Sequence, residues 1–114
     1  RCNEKIIATG SDIGHQGSAG KTEYASSKAG LWMLTWVLAQ ELWEYNISVN
    51  ELIPGPVLTE RMREAYAGRE DSVFNIESEW VKGPEDVAQL ALFLATQSDK
   101  GPTAQSLSLM RRDT

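Results

Sequence analysis

Tyr24 and Lys28 stand four residues apart in a stretch that holds no proline from Tyr24 to Tyr45. On a helix such a pair shares one face, the side chains stacked a turn apart. A phenol is a useful acid or base only when its reference pKa of about 10 is lowered. A neighbouring ammonium favours the phenolate and does that. By itself, Tyr24-Ala25-Ser26-Ser27-Lys28 is equally a helix with one polar edge. Ser11 lies thirteen residues before Tyr24, at the mouth of the apolar run Lys5 to Thr9. It offers a hydroxyl to a reacting oxygen, or serves as a turn serine capping a backbone N–H.

The glycines around Ser11 suggest a second chemistry. Thr9-Gly10-x-x-x-Gly14-x-x-Gly17 after a strand has the look of a dinucleotide phosphate loop, where glycines let backbone approach a pyrophosphate. The spacing fails in detail, because Gln16 occupies a glycine position and Ser18-Ala19-Gly20 continues as loop. His15 falls outside the Ser-Tyr-Lys pattern and reads as a loop residue. Cys2 has no evident base beside it and reads as a small filler.

The elements that must position these groups follow from periodicity and punctuation. Lys5 to Thr9 is an apolar run ending at a glycine, as a buried strand would. Gly10 to Gly20 reads as loop, and Tyr24 to about Tyr45 as a long helix stopped at Asn46. Ile47 to Ile53 alternates apolar and polar residues and predicts a second strand, broken by Pro54-Gly55-Pro56. A short helix is expected from Leu58 to about Ala67, then an irregular polar stretch to Gly83. Gly83-Pro84-Glu85-Asp86 starts a helix that runs to about Thr96, with Pro at the first turn and acids at the positive helix end. Gln105 to Met110 is a last short strand. The order β-α-β-(α)-α-β predicts parallel strands with crossover helices.

Composition narrows the function classes. Eleven Lys+Arg against 16 Asp+Glu give a net charge of −5, which argues against a nucleic-acid or anionic-membrane surface. No apolar run approaches the roughly 18 residues of a membrane span. One cysteine excludes an internal disulfide and a multi-Cys zinc site, and one histidine leaves little for a His-rich metal centre. The chain opens at Arg1 without a signal-peptide pattern, so a cytoplasmic protein and a piece of something longer are expected.

Ser11, Tyr24 and Lys28, with Asn50 and Pro54-Gly55-x-Val57-x-Thr59 after the helix, resemble the short-chain dehydrogenase/reductase family in type, spacing and order. Gly83-Pro84-Glu85-Asp86-Val87-Ala88 and Thr103-Ala104-Gln105 resemble its last helix and last strand, with Ala104 where glycine is common. The resemblance implies an α/β fold: the C-terminal half of a doubly wound parallel-sheet (Rossmann-like) domain of about 250 residues. Residues 1–114 would be its catalytic half, without the N-terminal glycine loop, the residue that chooses NAD or NADP, and the helix asparagine of the catalytic group.

The implied reaction is hydride transfer between NAD or NADP and a small-molecule carbonyl/alcohol pair, with no metal. Tyr24 would exchange the proton, Ser11 would orient the oxygen, and Lys28 would lower the tyrosine pKa and bind the nicotinamide ribose. Backbone at Val57 and the Thr59 hydroxyl would hold the carboxamide, Pro54 and Gly55 would lie beside the nicotinamide in the same segment, and Tyr24 would also touch the cofactor. Thr59 could equally cap the helix that follows. Met62, Tyr66 and Phe74 are candidates to line the substrate side, in a segment whose many charges otherwise read as solvated surface. The alternative is a non-catalytic association module that kept the scaffold.

Partners are read from the long helix. Tyr24, Lys28, Leu31, Thr35, Leu38 and Leu42 follow one face, while Trp32, Trp36, Ala39 and Trp43 make a second stripe about 40° away. A helix apolar nearly all round is buried on more than one side. The family resemblance implies that subunits pair through this helix, as a homodimer or homotetramer with Trp36 or Trp43 in the contact.

Overall fold

The computed structural model describes residues 4–65 and 81–110. Three strands form one parallel sheet in the order β1-β2-β3: Lys5–Thr9, Ser48–Ile53 and Ser106–Ser108. Lys5 pairs with Ser48 and Thr9 with Leu52, while Glu51 pairs with Ser106 and Ile53 with Ser108. The ladder extends one bond beyond each edge strand, from Gly10 N–H to Leu52 O (2.9 Å) and from Leu109 N–H to Ile53 O (2.8 Å). The carboxyl ends of all three strands therefore lie side by side.

Every residue of β2 is buried. Successive side chains point to opposite faces, so both faces of this strand are covered. The strand expected over Ile47 to Ile53 forms at Ser48–Ile53, and its alternating pattern does not give it an exposed face. Here the polar members Ser48, Asn50 and Glu51 are interior, as the central strand of a parallel sheet requires. Asn50 is satisfied by the chain beside it: its amide donates to Pro102 O (2.9 Å) and its oxygen accepts from Gln105 N–H (3.0 Å). Val49 N–H donates to Thr103 Oγ1 (3.0 Å), so the segment before β3 is stitched to β2 by side chains as well as backbone.

The Gly10 to Gly20 stretch is not all loop. Ile13–Gln16 forms a one-turn helix, α1, and Gly17 N–H closes it on Ile13 O at 2.8 Å. The long helix α2 runs Thr22–Leu42 and tightens into a 3-10 turn at Trp43–Tyr45. Asn46 ends it in the left-handed conformation at φ 60°, the stop expected of an asparagine. Helix α3 is Glu60–Ala65. Helix α4 is Pro84–Ala95, where Gly83 N–H donates to Asp86 Oδ2 (3.0 Å) and Asp86 N–H to Gly83 O (3.1 Å). Two otherwise orphaned donors of the first turn are met in this way. The last strand is shorter than expected, three residues rather than Gln105 to Met110.

Helix α2 packs on β2, α1 packs on α2, and α4 packs on β1 and β2. Of α2 only Thr35 and Ala39 are buried. Thr35 carries its hydroxyl inward by donating to its own helix at Leu31 O (2.8 Å). The tryptophan stripe divides: Trp32 is half-buried against α1, while Trp36 and Trp43 are 43% and 64% exposed. Met33, Leu34 and Val37 are exposed beside them, an apolar face that the described residues leave uncovered.

Candidate active site

A cleft of about 650 Å³ opens at the carboxyl ends of the strands. In open parallel sheets this is where ligands bind, because strand ends and the loops after them form a crevice free of helix packing. Thr9, Gly10 and Ser11 supply one wall after β1, and Ile53, Pro54, Gly55 and Pro56 another after β2. Met110 contributes from beyond β3, and Tyr24 and Lys28 from the first turns of α2. Two segments, the turn after β1 and the start of α2, thus deliver Ser11, Tyr24 and Lys28 to one cavity.

Each group is placed by local structure. Ser11 precedes α1, and its Oγ accepts the Ile13 N–H at 3.3 Å. The capping role and a role in the cleft coexist, since the accepting lone pair leaves the hydroxyl proton free to donate. Tyr24 is 47% exposed and lines the cleft. The Lys28 ammonium lies 5.7 Å from the Tyr24 ring centroid, one turn along the helix as the i, i+4 spacing requires. It also donates to Thr9 O at 3.4 Å, which ties α2 to the end of β1.

The proposed carboxamide segment divides. Pro54 and Gly55 line the cleft, Gly55 at φ 71° where a side chain would be strained. Val57 and Thr59 are not in its wall. Val57 forms a parallel bridge with Lys82, and Thr59 immediately precedes α3. The Met62 side chain, with Tyr66 and Phe74, lies outside the described residues.

Two glycines of the Ser11 loop serve packing, while Gly17 and Gly20, at φ 73° and 83°, face open space. A Cβ on Gly14 would fall 2.7 Å from the Lys28 carbonyl carbon and 2.9 Å from the Ala29 nitrogen, so α1 sits directly on the α2 backbone. A Cβ on Gly10 would overlap the Glu51 carboxyl group. Gly10 and Gly14 are thus held to close packing, which counts against a phosphate loop here.

Three cleft residues and one buried pair escaped the sequence reading. Asp12, Gln16 and Ser18 add polar groups to the wall. Behind it, the buried Glu51 accepts from Ser106 Oγ (2.6 Å) and pairs with His15 Nε2 (2.6 Å). His15 is therefore a residue of α1 with a partner in the central strand, rather than a loop residue. The available signal was a carboxylate inside a run of strand formers. Among the described residues, no group of three or more His, Cys, Asp or Glu could hold a metal ion. No helix there is long and apolar enough to cross a membrane.

The family model described as enoyl-(acyl carrier protein) reductase matches residues 1–109. The 3-oxoacyl-[acyl-carrier-protein] reductase of Chlamydia pneumoniae is 41% identical over 112 residues, covering 90% of this chain and 42% of that protein. The human (3R)-3-hydroxyacyl-CoA dehydrogenase is 33% identical over 109 residues, covering 95% of this chain and 42% of that protein. Among solved structures, 3-hydroxyacyl-CoA dehydrogenase type-2 from Mycobacterium avium superposes with TM-score 0.80 at 28% identity, covering 97% of this chain and 44% of that one. A blue fluorescent protein from a metagenomic library, in complex with NADPH, gives TM-score 0.74 at 33% identity, covering 92% and 43%. The chain spans less than half the length of these relatives. Matched almost end to end by the family model, and built on the parallel α/β scaffold of these oxidoreductases, it belongs to the short-chain dehydrogenase/reductase family.

Proposed function

We propose that residues 1–114 are the catalytic half of an oxidoreductase that moves a hydride between NADPH or NADH and a 3-oxoacyl/3-hydroxyacyl thioester. The observation that carries this is the meeting of Ser11, Tyr24 and Lys28 in one cleft at the carboxyl ends of parallel strands. The substrate class follows the names of the curated relatives, and NADPH follows the solved neighbour that holds it.

The cleft suits the nicotinamide end of the cofactor. Its volume of about 650 Å³ is in the range of small-molecule sites, and it is walled by backbone at Pro54 and Gly55 with one ammonium, Lys28. Among the described residues of the Ser11 loop, Gly10 and Gly14 are committed to packing and Gly17 alone stands open in the cleft wall, short of a glycine cradle for the pyrophosphate end. The chain alone is therefore inactive, and turnover requires a cofactor-binding half.

When bound, the nicotinamide supplies or accepts the hydride. Tyr24 Oη gives its proton to the substrate oxygen during reduction and recovers it during oxidation. Ser11 Oγ, steadied by the Ile13 N–H, donates to that same oxygen and fixes its direction. Lys28 Nζ, 5.7 Å from the tyrosine ring centroid and donating to Thr9 O, offers its remaining N–H groups to the ribose hydroxyls. Pro54 and Gly55 present backbone to the carboxamide, with Val57 and Thr59 following them.

The test is turnover by the full-length protein of a 3-oxoacyl thioester with NADPH, and separately with NADH, followed by loss of reduced-nicotinamide absorbance. Loss that depends on the thioester supports the reading. No loss with thioesters, simple ketones or aldehydes would overturn it in favour of an association module. The exposed apolar face of α2 suits pairing with a second copy, so the active form is proposed as a homodimer or homotetramer.

A further inference from the structure

We infer that Glu51 and His15 form a positioning pair for Ser11, holding the turn that carries the serine against the central strand. The catalytic consequence rests on the Ser-Tyr-Lys reading above; the structural part does not.

Glu51 has no exposed side-chain surface. An interior position that needed only volume would carry an aliphatic residue, because a buried carboxylate is unfavourable unless it is paired. Its Oε1 meets two partners, His15 Nε2 and Ser106 Oγ, each at 2.6 Å. Its Oε2 has no hydrogen-bond partner among the described residues. The carboxyl group abuts Gly10, where a Cβ would overlap it. Glu51 thus touches the residue before Ser11 and grips the residue four after it, with the serine held between.

The opposite side of α1 is held as well. The His15 ring packs on Trp32 with centroids 5.2 Å apart, and Gly14 seats on the α2 backbone at Lys28 and Ala29. A four-residue helix has no stability of its own, so these anchors decide whether it forms. The Ile13 N–H can steady Ser11 Oγ only while that turn is in place. The chain of cause therefore runs from Glu51 through His15 to the turn, and from the turn to the direction of the Ser11 hydroxyl.

The rival account is that Glu51 merely joins β2 to β3 through Ser106. Hydrogen-exchange mass spectrometry and kinetics on the full-length protein separate the two. His15 lies on the surface side of the pair, so His15→Ala tests the pair without opening the buried site that a Glu51 variant would. It is expected to speed exchange across residues 10–17 about tenfold, and to leave 48–53 and 106–108 unchanged. With it kcat falls about tenfold while the KM for NADPH stays within about twofold, since misplacement of a reacting group acts on the chemical step. His15→Gln, whose amide can donate to the same carboxylate, recovers most of both losses. Ser106→Ala leaves exchange at 10–17 as it was. In a Ser11→Ala background, His15→Ala costs no further kcat. Wild-type exchange at 10–17 in His15→Ala would overturn the pair. So would acceleration spread equally over β2 and β3, or a kcat loss undiminished without Ser11. Absence of turnover in the wild type would sink the Ser-Tyr-Lys reading alone, because exchange still decides the pair.

Discussion

Tyr24 is the residue on which the proposed chemistry turns, and its exposure makes it a clean probe. Removing the hydroxyl from a side chain 47% exposed changes stability by no more than about 0.5 kcal/mol. Tyr24→Phe is therefore expected to unfold nothing and to keep the cofactor. It should lower kcat by about 10²–10⁴-fold, the range of general acid–base catalysis. Steady-state kinetics beside a calorimetric NADPH titration check both halves of that statement. Unchanged turnover in a protein that still binds NADPH would remove Tyr24 from the mechanism.

Two elements carry backbone constraints that side-chain patterns do not display. The one-turn helix α1 lies so close to α2 that a methyl at Gly14 would press on the backbone of Lys28 and Ala29. Backbone cannot yield as a flexible side-chain tip can. Gly14→Ala should cost about 1–3 kcal/mol in denaturant unfolding, the range for overpacking, and should displace the Ser11 turn. The segment before β3 shows the reverse case. Ala104 is held at φ 60° while its N–H donates to Val49 O at 2.8 Å. A left-handed alanine carries about 1–2 kcal/mol of strain. Ala104→Gly relieves it, less the entropy glycine adds to the unfolded chain. A net gain of about 0.5–1 kcal/mol is expected, read as a higher denaturation midpoint; a loss would mean that φ is not strained in solution.

At the scale of the molecule, the described residues leave one apolar face of α2 open, with Trp43 64% exposed beside Trp36, Leu34 and Met33. Aromatic side chains concentrate at interface cores. Light scattering of the full-length protein is expected to show a dimer or tetramer at micromolar concentration. Trp43→Glu or Trp36→Glu should shift it toward smaller species; a monomeric wild type would end the assembly proposal. The same incompleteness bears on the ligand. In the proposed reading the described residues give the nicotinamide end a cleft, with Gly10 and Gly14 committed to packing. Calorimetry of this chain alone is expected to show no micromolar binding of NADPH or NADH. Such binding would return the Gly10 to Gly17 loop to consideration as a phosphate site.

Much of this was written into the order of residues. Helix pitch alone places Tyr24 and Lys28 on one face, and a 22-residue span without proline leaves the long helix little alternative. Asn46, Pro54-Gly55-Pro56 and Gly83-Pro84 mark boundaries because their backbone preferences are local. What local preference cannot supply is which strand lies in the middle. Only the sheet order β1-β2-β3 buries Ser48, Asn50 and Glu51, and so turns an alternating strand into one interior on both faces. The Glu51–His15 contact joins residues 36 positions apart, with no spacing rule to announce it. The four residues of α1 lack any helix signal, since their conformation comes from packing on α2 and β2 rather than from propensity. Local preference named the candidate groups; long-range packing decided what holds them still.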